Sequence, residues 1–241
     1  SIRIPPNEYQ KRLKALQWEI ARCELDLFVV TSFESIFYLT GAGFEPLERP
    51  FFLLIRPQRS PTLLVPKLDA DHMKKARGVR VEDIVAYREY PAPEARSWPR
   101  LLHDCIGEDE RIGVEPELRR EISDELRAHA PTTVPLLEAL RLVKSPAEVE
   151  MIRRAAQYAD FGVDRLLAAS YFGAMVAEGF AQTRSVNTRI IREVEDWDPL
   201  TTKVTMATWA APHSAMPHSI PALDQRLEKG PHVALVLTRV N

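Results

Sequence analysis

Cysteine, net charge and long apolar runs are all scarce in this sequence, and each shortage closes off a class of function. Cys23 and Cys105 are the only cysteines among 241 residues. With no CxxC pair and no Cys/His cluster at zinc-finger spacing, a disulfide framework and a structural zinc finger are excluded, and a reducing compartment fits. The 32 Lys and Arg against 34 Asp and Glu leave a formal charge of −2, so there is no basic field to hold a phosphate backbone. No apolar run approaches the roughly 18–20 residues of a membrane span, and the start shows no basic segment, apolar core and small-residue cleavage site in succession. Neither nucleic acid nor membrane is expected as a partner, and the expected location is the cytoplasm.

An apolar fraction of 45% and a charged fraction of 27% are ordinary for a globular chain of one or two domains. Leu13, Leu16, Ile20 and Cys23 fall at spacings of three and four, which predicts an amphipathic helix from about Asn7 to Glu24. LDLFVVTS is a short apolar run rich in β-branched residues and reads as a buried central strand, followed by a polar turn and SIFYLTGAGF. FFLLIRP and PTLLVPKL predict an antiparallel hairpin across Pro57, Ser60 and Pro61. A helix opened by Asp69 and closed by Gly78, a strand in VRVEDIVAYRE, a helix in WPRLLHDCIG, a strand in RIGVEPE and a helix in REISDELRAHAP follow. This alternation predicts an α/β domain over residues 1–140.

Beyond it the pattern changes. From Ser145 to Val194 the chain reads as nearly all helical, with Ser145 as N-cap, Pro146 at the first helical position and Glu148 completing a capping box. Phe161, Val163, Leu166, Leu167, Tyr171, Phe172, Met175 and Val176 give it wide apolar faces. TKVTMATW and GPHVALVLTRVN then read as strands, the last with no turn after it, and the apolar faces of residues 146–194 are expected to be poorly ordered, paired with another chain or covered by further sequence.

His213 and His218 each follow a proline in APHSAMPHSIPALDQRLEKG. A zinc site wants three or four ligands, and only Ser214, Ala215, Met216 and Pro217 separate the pair. On chemistry alone each is a loop histidine, exposed or bonded to backbone. The acidic run from Glu193 to Asp198 reads as a solvated helix end. Arg184, Arg189 and Arg192 read as surface ion pairs among nearby glutamates. Tyr38 reads as core, and Trp18, Trp98, Trp197 and Trp209 show no spacing suited to a stacking platform.

Three segments in order resemble one family. YQKRLKALQWEIARCELDLFVVTSFESIFYLTGAGF is similar to the N-terminal signature of the creatinase, prolidase and aminopeptidase P family. LRLVKSPAEVEMIRRAAQYAD is similar to the helix that opens that family's catalytic domain, and PHSIPALDQRLEKG resembles the stretch before its first metal-ligand strand. The resemblance implies an α/β N-terminal domain of ribonuclease-H-like topology followed by a partial α+β pita-bread domain over residues 141–241. It also implies a homodimer, and hydrolysis of Xaa-Pro peptides or of a small creatine-like C–N substrate. By this carry-over His218 is the catalytic and substrate-contacting histidine, whereas His213 has no counterpart.

The same resemblance locates a departure. Relatives that use two manganese, cobalt or zinc ions carry their first carboxylate ligand where this sequence has Val236, and His232 is the only donor side chain between Gly230 and Leu237. No metal cofactor is therefore expected. Two readings stay open: a metal-independent, creatinase-like hydrolase whose active site is incomplete in these residues, or a catalytically inactive member serving in dimerisation or ligand binding.

Overall fold

Helix α1 (Pro6–Arg22) starts behind Pro5, and its buried stripe includes Leu16 and Ile20. In this computed structural model, which describes residues 3–195 and 197–240, α1 belongs to a unit spanning Pro5–Lys144. The remaining elements of this unit are β1 (Leu27–Val30), α2 (Phe33–Thr40), β2 (Phe52–Ile55), β3 (Thr62–Pro66), α3 (Ala70–Met73), β4 (Ile84–Tyr87), α4 (Trp98–Asp104), β5 (Ile112–Val114), α5 (Arg120–Leu126), β6 (Thr132–Thr133) and α6 (Leu136–Leu142). The strands form one six-stranded sheet in the order β4-β3-β2-β1-β5-β6.

β1 is central as its apolar run predicts, antiparallel to β2 through Val29 and Leu54 and parallel to β5 through Val29 and Val114. A strand buried on both faces must supply side chains to two cores. Phe28 and Val30 pack with Leu16 and Ile20 of α1, Ile36 of α2 and Leu137 of α6. Leu27 and Val29 pack on the other face with Leu102 of α4 and Ile122 of α5. β2 and β3 form the expected antiparallel hairpin, with Leu53 opposite Leu63. The strand expected in VRVEDIVAYRE is shorter, because Val81–Asp83 forms a turn of 3-10 helix ahead of β4.

SIFYLTG, for all its β-prone residues, is helix α2. Ser32 caps it, its hydroxyl accepting from Ser35 N at 3.3 Å, and Gly41 ends it in the left-handed region at φ +69°. A Cβ on Gly41 would sit 2.7 Å from the Tyr9 hydroxyl, so glycine is needed there for space as well as for φ. Tyr38 on this helix packs against the core, its ring 4.2 Å below the Arg12 guanidinium, which also donates to Tyr38 O at 2.7 Å.

The other unit comprises Ser145–Asn241 with Ser1–Ile4. It holds α7 (Pro146–Ala169), α8 (Val176–Ala181), α9 (Thr183–Glu193), β7 (Lys203–Trp209) and β8 (Val233–Arg239). The capping box forms as the sequence predicts: Ser145 N donates to Glu148 Oε2 at 2.6 Å and Glu148 N to Ser145 Oγ at 3.2 Å. The helical stretch is interrupted between α7 and α8, where Gly173 takes φ +84°. β7 and β8 pair antiparallel with Met206 opposite Val236. Met206, Val204 and Val236 pack against Tyr158 and Leu166 of α7 and Val186 and Ile190 of α9. Of the apolar faces noted above, Leu166 and Val176 are buried, whereas Leu167, Tyr171 and Phe172 are 58%, 60% and 75% exposed.

Candidate functional site

The two histidines sit on a loop that leaves β7 and is tied back by its own hydrogen bonds. Ser214 N donates to Ala210 O at 3.0 Å, and His213–Ala215 forms a single 3-10 turn. Trp209 Nε1 then donates to Ser219 O at 2.7 Å, and Ser219 Oγ to His213 O at 2.9 Å. The loop is thereby closed on the strand end it came from. Between these bonds lies a cleft of about 230 Å³ bounded by Trp209, His213, Met216, His218, Val233 and Leu235.

His218 is exposed and takes φ +55°. A non-glycine residue held in the left-handed region carries a conformational cost, tolerated where the surrounding bonds fix the chain. His213 differs from the expectation of an exposed or backbone-bonded residue: it is half-buried, and its Nδ1 lies 3.1 Å from Gln225 Oε1. Gln225 Nε2 donates to Ala211 O at 2.7 Å, which turns the amide oxygen toward the ring. His213 Nδ1 is therefore the donor in that contact, and Nε2 is the nitrogen left to accept.

Strand alternation decides which residues of β8 share this cleft. Val233 and Leu235 line it, whereas Val236 faces the helices, its Cγ1 2.7 Å from where a Cβ on Gly162 would stand. The side chains described around β8 supply no set of metal ligands. Val236 is packed on a helix, the cleft side of the strand offers aliphatic groups, and among the described residues no three His, Cys, Asp or Glu side chains converge to hold a cation.

The sequence motifs around this unit have structural partners. Arg189 pairs with Glu193 at 2.9 Å and lies 4.6 Å above the Phe161 ring, and Tyr158 donates its hydroxyl to Glu193 at 3.0 Å. The arginine holds the Glu193 carboxyl below its ordinary range. In the acidic run, Asp198 Oδ1 accepts from Leu200 N at 2.9 Å, a local turn, and Asp196 lies outside the described residues. Trp209 of the cleft and Gln225, the partner of His213, escaped the sequence reading. Trp209 had no spacing to mark it, and Gln225 meets His213 across twelve positions of loop with no periodic signal.

Residues 12–153 match the model of the creatinase/prolidase N-terminal domain, well over half of the chain. The chain belongs to the creatinase/prolidase family. Two uncharacterized peptidases of Staphylococcus aureus, from strains bovine RF122 / ET3-1 and MRSA252, are each 26% identical over 216 residues, covering 89% of this chain and 58% of the relative. Among solved structures, dipeptidase PepE from Mycobacterium ulcerans aligns with a TM-score of 0.67 at 21% identity over 98% of this chain and 65% of its own. Prolidase from Pyrococcus horikoshii OT3 aligns at 0.67 and 19% identity over 95% and 60%. These likenesses establish the fold: a creatinase-type N-terminal domain followed by part of the pita-bread domain. The chain spans 58% of the length of the curated relatives it matches.

Proposed function

We propose that this chain is the N-terminal and early catalytic portion of a pita-bread hydrolase that cleaves Xaa-Pro peptides or a small creatine-like C–N bond without a metal ion. The observation that carries the reading is His218, exposed beside an apolar cleft on a loop closed by Trp209 and Ser219. An imidazole N–H can donate, and at this position it can donate to negative charge developing on a substrate carbonyl. Trp209, Val233 and Leu235 supply an apolar wall for a proline ring or a methyl-bearing substrate. His213, oriented by Gln225, lines the same cleft. A homodimer is part of this proposal, supported by exposed Leu167, Tyr171 and Phe172. So is a cytoplasmic location, supported by the two free cysteines.

The aliphatic face that β8 turns to the cleft favours a second reading, a non-catalytic member that binds a small molecule or peptide there. One experiment separates them. In the full-length form, hydrolysis of an Xaa-Pro dipeptide and of creatine is followed for the parent and for His218→Ala, with circular dichroism as the folding control. The hydrolase reading expects turnover to fall by about a hundredfold or more with the spectrum unchanged and with chelator without effect. Roughly two metal equivalents and chelator-sensitive turnover would overturn the metal-free chemistry. Undiminished turnover in the variant would remove His218 from the reaction, and no turnover in the parent, with either substrate still bound, would favour the binding protein.

A further inference from the structure

The far edge of the six-stranded sheet carries a hollow unrelated to the histidine cleft. It measures about 680 Å³ and is bordered by Val85, Ala86 and Arg88 at β4, by Lys67, by Arg96 and by Leu101 of α4. Val85 packs with the core on one face of the sheet and Ala86 with the core on the other. A hollow that touches both residues therefore lies over the strand's edge and not on either face.

The hydrogen bonds of β4 say which backbone groups look into it. Tyr87 O accepts from Lys67 N at 2.9 Å, on the β3 side, whereas Arg88 N donates outward to Arg96 O at 2.9 Å. N–H and C=O of one residue point to the same side of a strand and successive residues alternate, so Ala86 presents both groups to the hollow. Among the described residues β4 has no neighbouring strand beyond it. Such an edge is a template for another strand unless something blunts it.

The rim has one dominant sign. Lys67, Arg88 and Arg96 are exposed around the hollow, and the carboxylate lining it among the described residues, Glu89, accepts from Leu68 N at 2.7 Å. Val85 and Leu101 give an apolar floor between the cations. We propose that this edge docks an extended acidic segment of a partner protein, which adds as a strand beside β4 through Ala86, sets alternate apolar side chains on the floor and directs its carboxylates to Lys67, Arg88 and Arg96. Main-chain bonds supply affinity in this mode and the side-chain pattern supplies selectivity.

The test uses the 241-residue chain and a fluorescein-labelled peptide of alternating valine and glutamate about six residues long, an ordinary strand length. Anisotropy should show saturable binding that weakens with added salt, and the alternating valine-lysine peptide should not bind. Arg88→Glu/Arg96→Glu should weaken binding roughly tenfold or more with thermal unfolding unchanged. The valine-glutamate peptide N-methylated at alternate residues should lose binding to the unaltered protein, and the Ala86 amide should gain hydrogen-exchange protection when the parent peptide binds. Absence of saturable binding, equal binding of the lysine peptide, or binding indifferent to N-methylation would overturn the proposal. So would sedimentation showing a dimer of the chain in which hydrogen exchange finds the Ala86 amide already protected.

Discussion

Glu115, one residue beyond β5, is 5% exposed, and its carboxylate is held by three donors: Thr31 N at 2.7 Å, Ser32 N at 3.0 Å and Ser32 Oγ at 2.8 Å. The Ser32 hydroxyl in turn accepts from Ser35 N, so one buried acid sets the cap of α2 from 83 positions away. Removing it leaves those donors without an acceptor, and buried donors are costly to orphan. Glu115→Ala should lower stability by about 2–3 kcal/mol and Glu115→Gln by about 1 kcal/mol, read from urea unfolding. Equal effects of the two substitutions would show that the one oxygen glutamine keeps does not hold those donors. Gly162 offers a second residue-scale test. Because an added Cβ would stand 2.7 Å from Val236 Cγ1, Gly162→Ala should cost about 1–3 kcal/mol. The loss should shrink in the Gly162→Ala/Val236→Ala pair, a coupling that a double-mutant cycle measures.

At the scale of elements, Arg56 joins three of them. It follows β2 and donates to Glu110 Oε2 ahead of β5 at 2.7 Å and to Cys105 O at the end of α4 at 2.7 Å. Its hydrogen bonds hold the Glu110 carboxyl below its ordinary range. A carboxylate depressed in the folded state contributes stability above its unfolded value of about 4.3 and loses it as pH falls through the folded value. The difference in urea midpoint between the parent and Arg56→Met should therefore be full near neutral pH and narrow once the pH drops below about 4. A difference that stays constant down that range would assign the effect to the bond with the Cys105 carbonyl, which does not titrate.

The elements that were legible in sequence are those whose burial is written in local pattern. β1 shows as an apolar run because both its faces are covered, and α7 shows its start because Ser145, Pro146 and Glu148 form a contiguous cap. Helix α2 was not legible as a helix, since Phe33, Ile36, Phe37 and Tyr38 suit a strand equally well and the cap that decides depends on Glu115. The candidate site was legible only in part. His218 stood out in its motif, but the Gln225 contact of His213 and the facing of Val236 toward Gly162 are products of tertiary pairing that no spacing encodes.

At the scale of the molecule, the unit Pro5–Lys144 is self-sufficient in its core. The sheet is covered on one face by α1, α2, α3 and α6 and on the other by α4 and α5, and every residue of those two apolar clusters lies within the unit. A domain that buries its sheet with its own helices should fold alone. The chain leaving it is open to attack: Leu142 and Val143 are 77% and 84% exposed, and Arg141 and Lys144 beside them are exposed as well. Proteolysis selects exposed backbone with few contacts to hold it. Limited trypsin treatment should therefore cut first after Arg141 or Lys144, and the N-terminal product, purified, should keep its circular dichroism and unfold in urea in one cooperative step. If the product instead loses its secondary structure on separation, the two clusters around β1 are not enough to hold the sheet, and its stability must come from the rest of the chain.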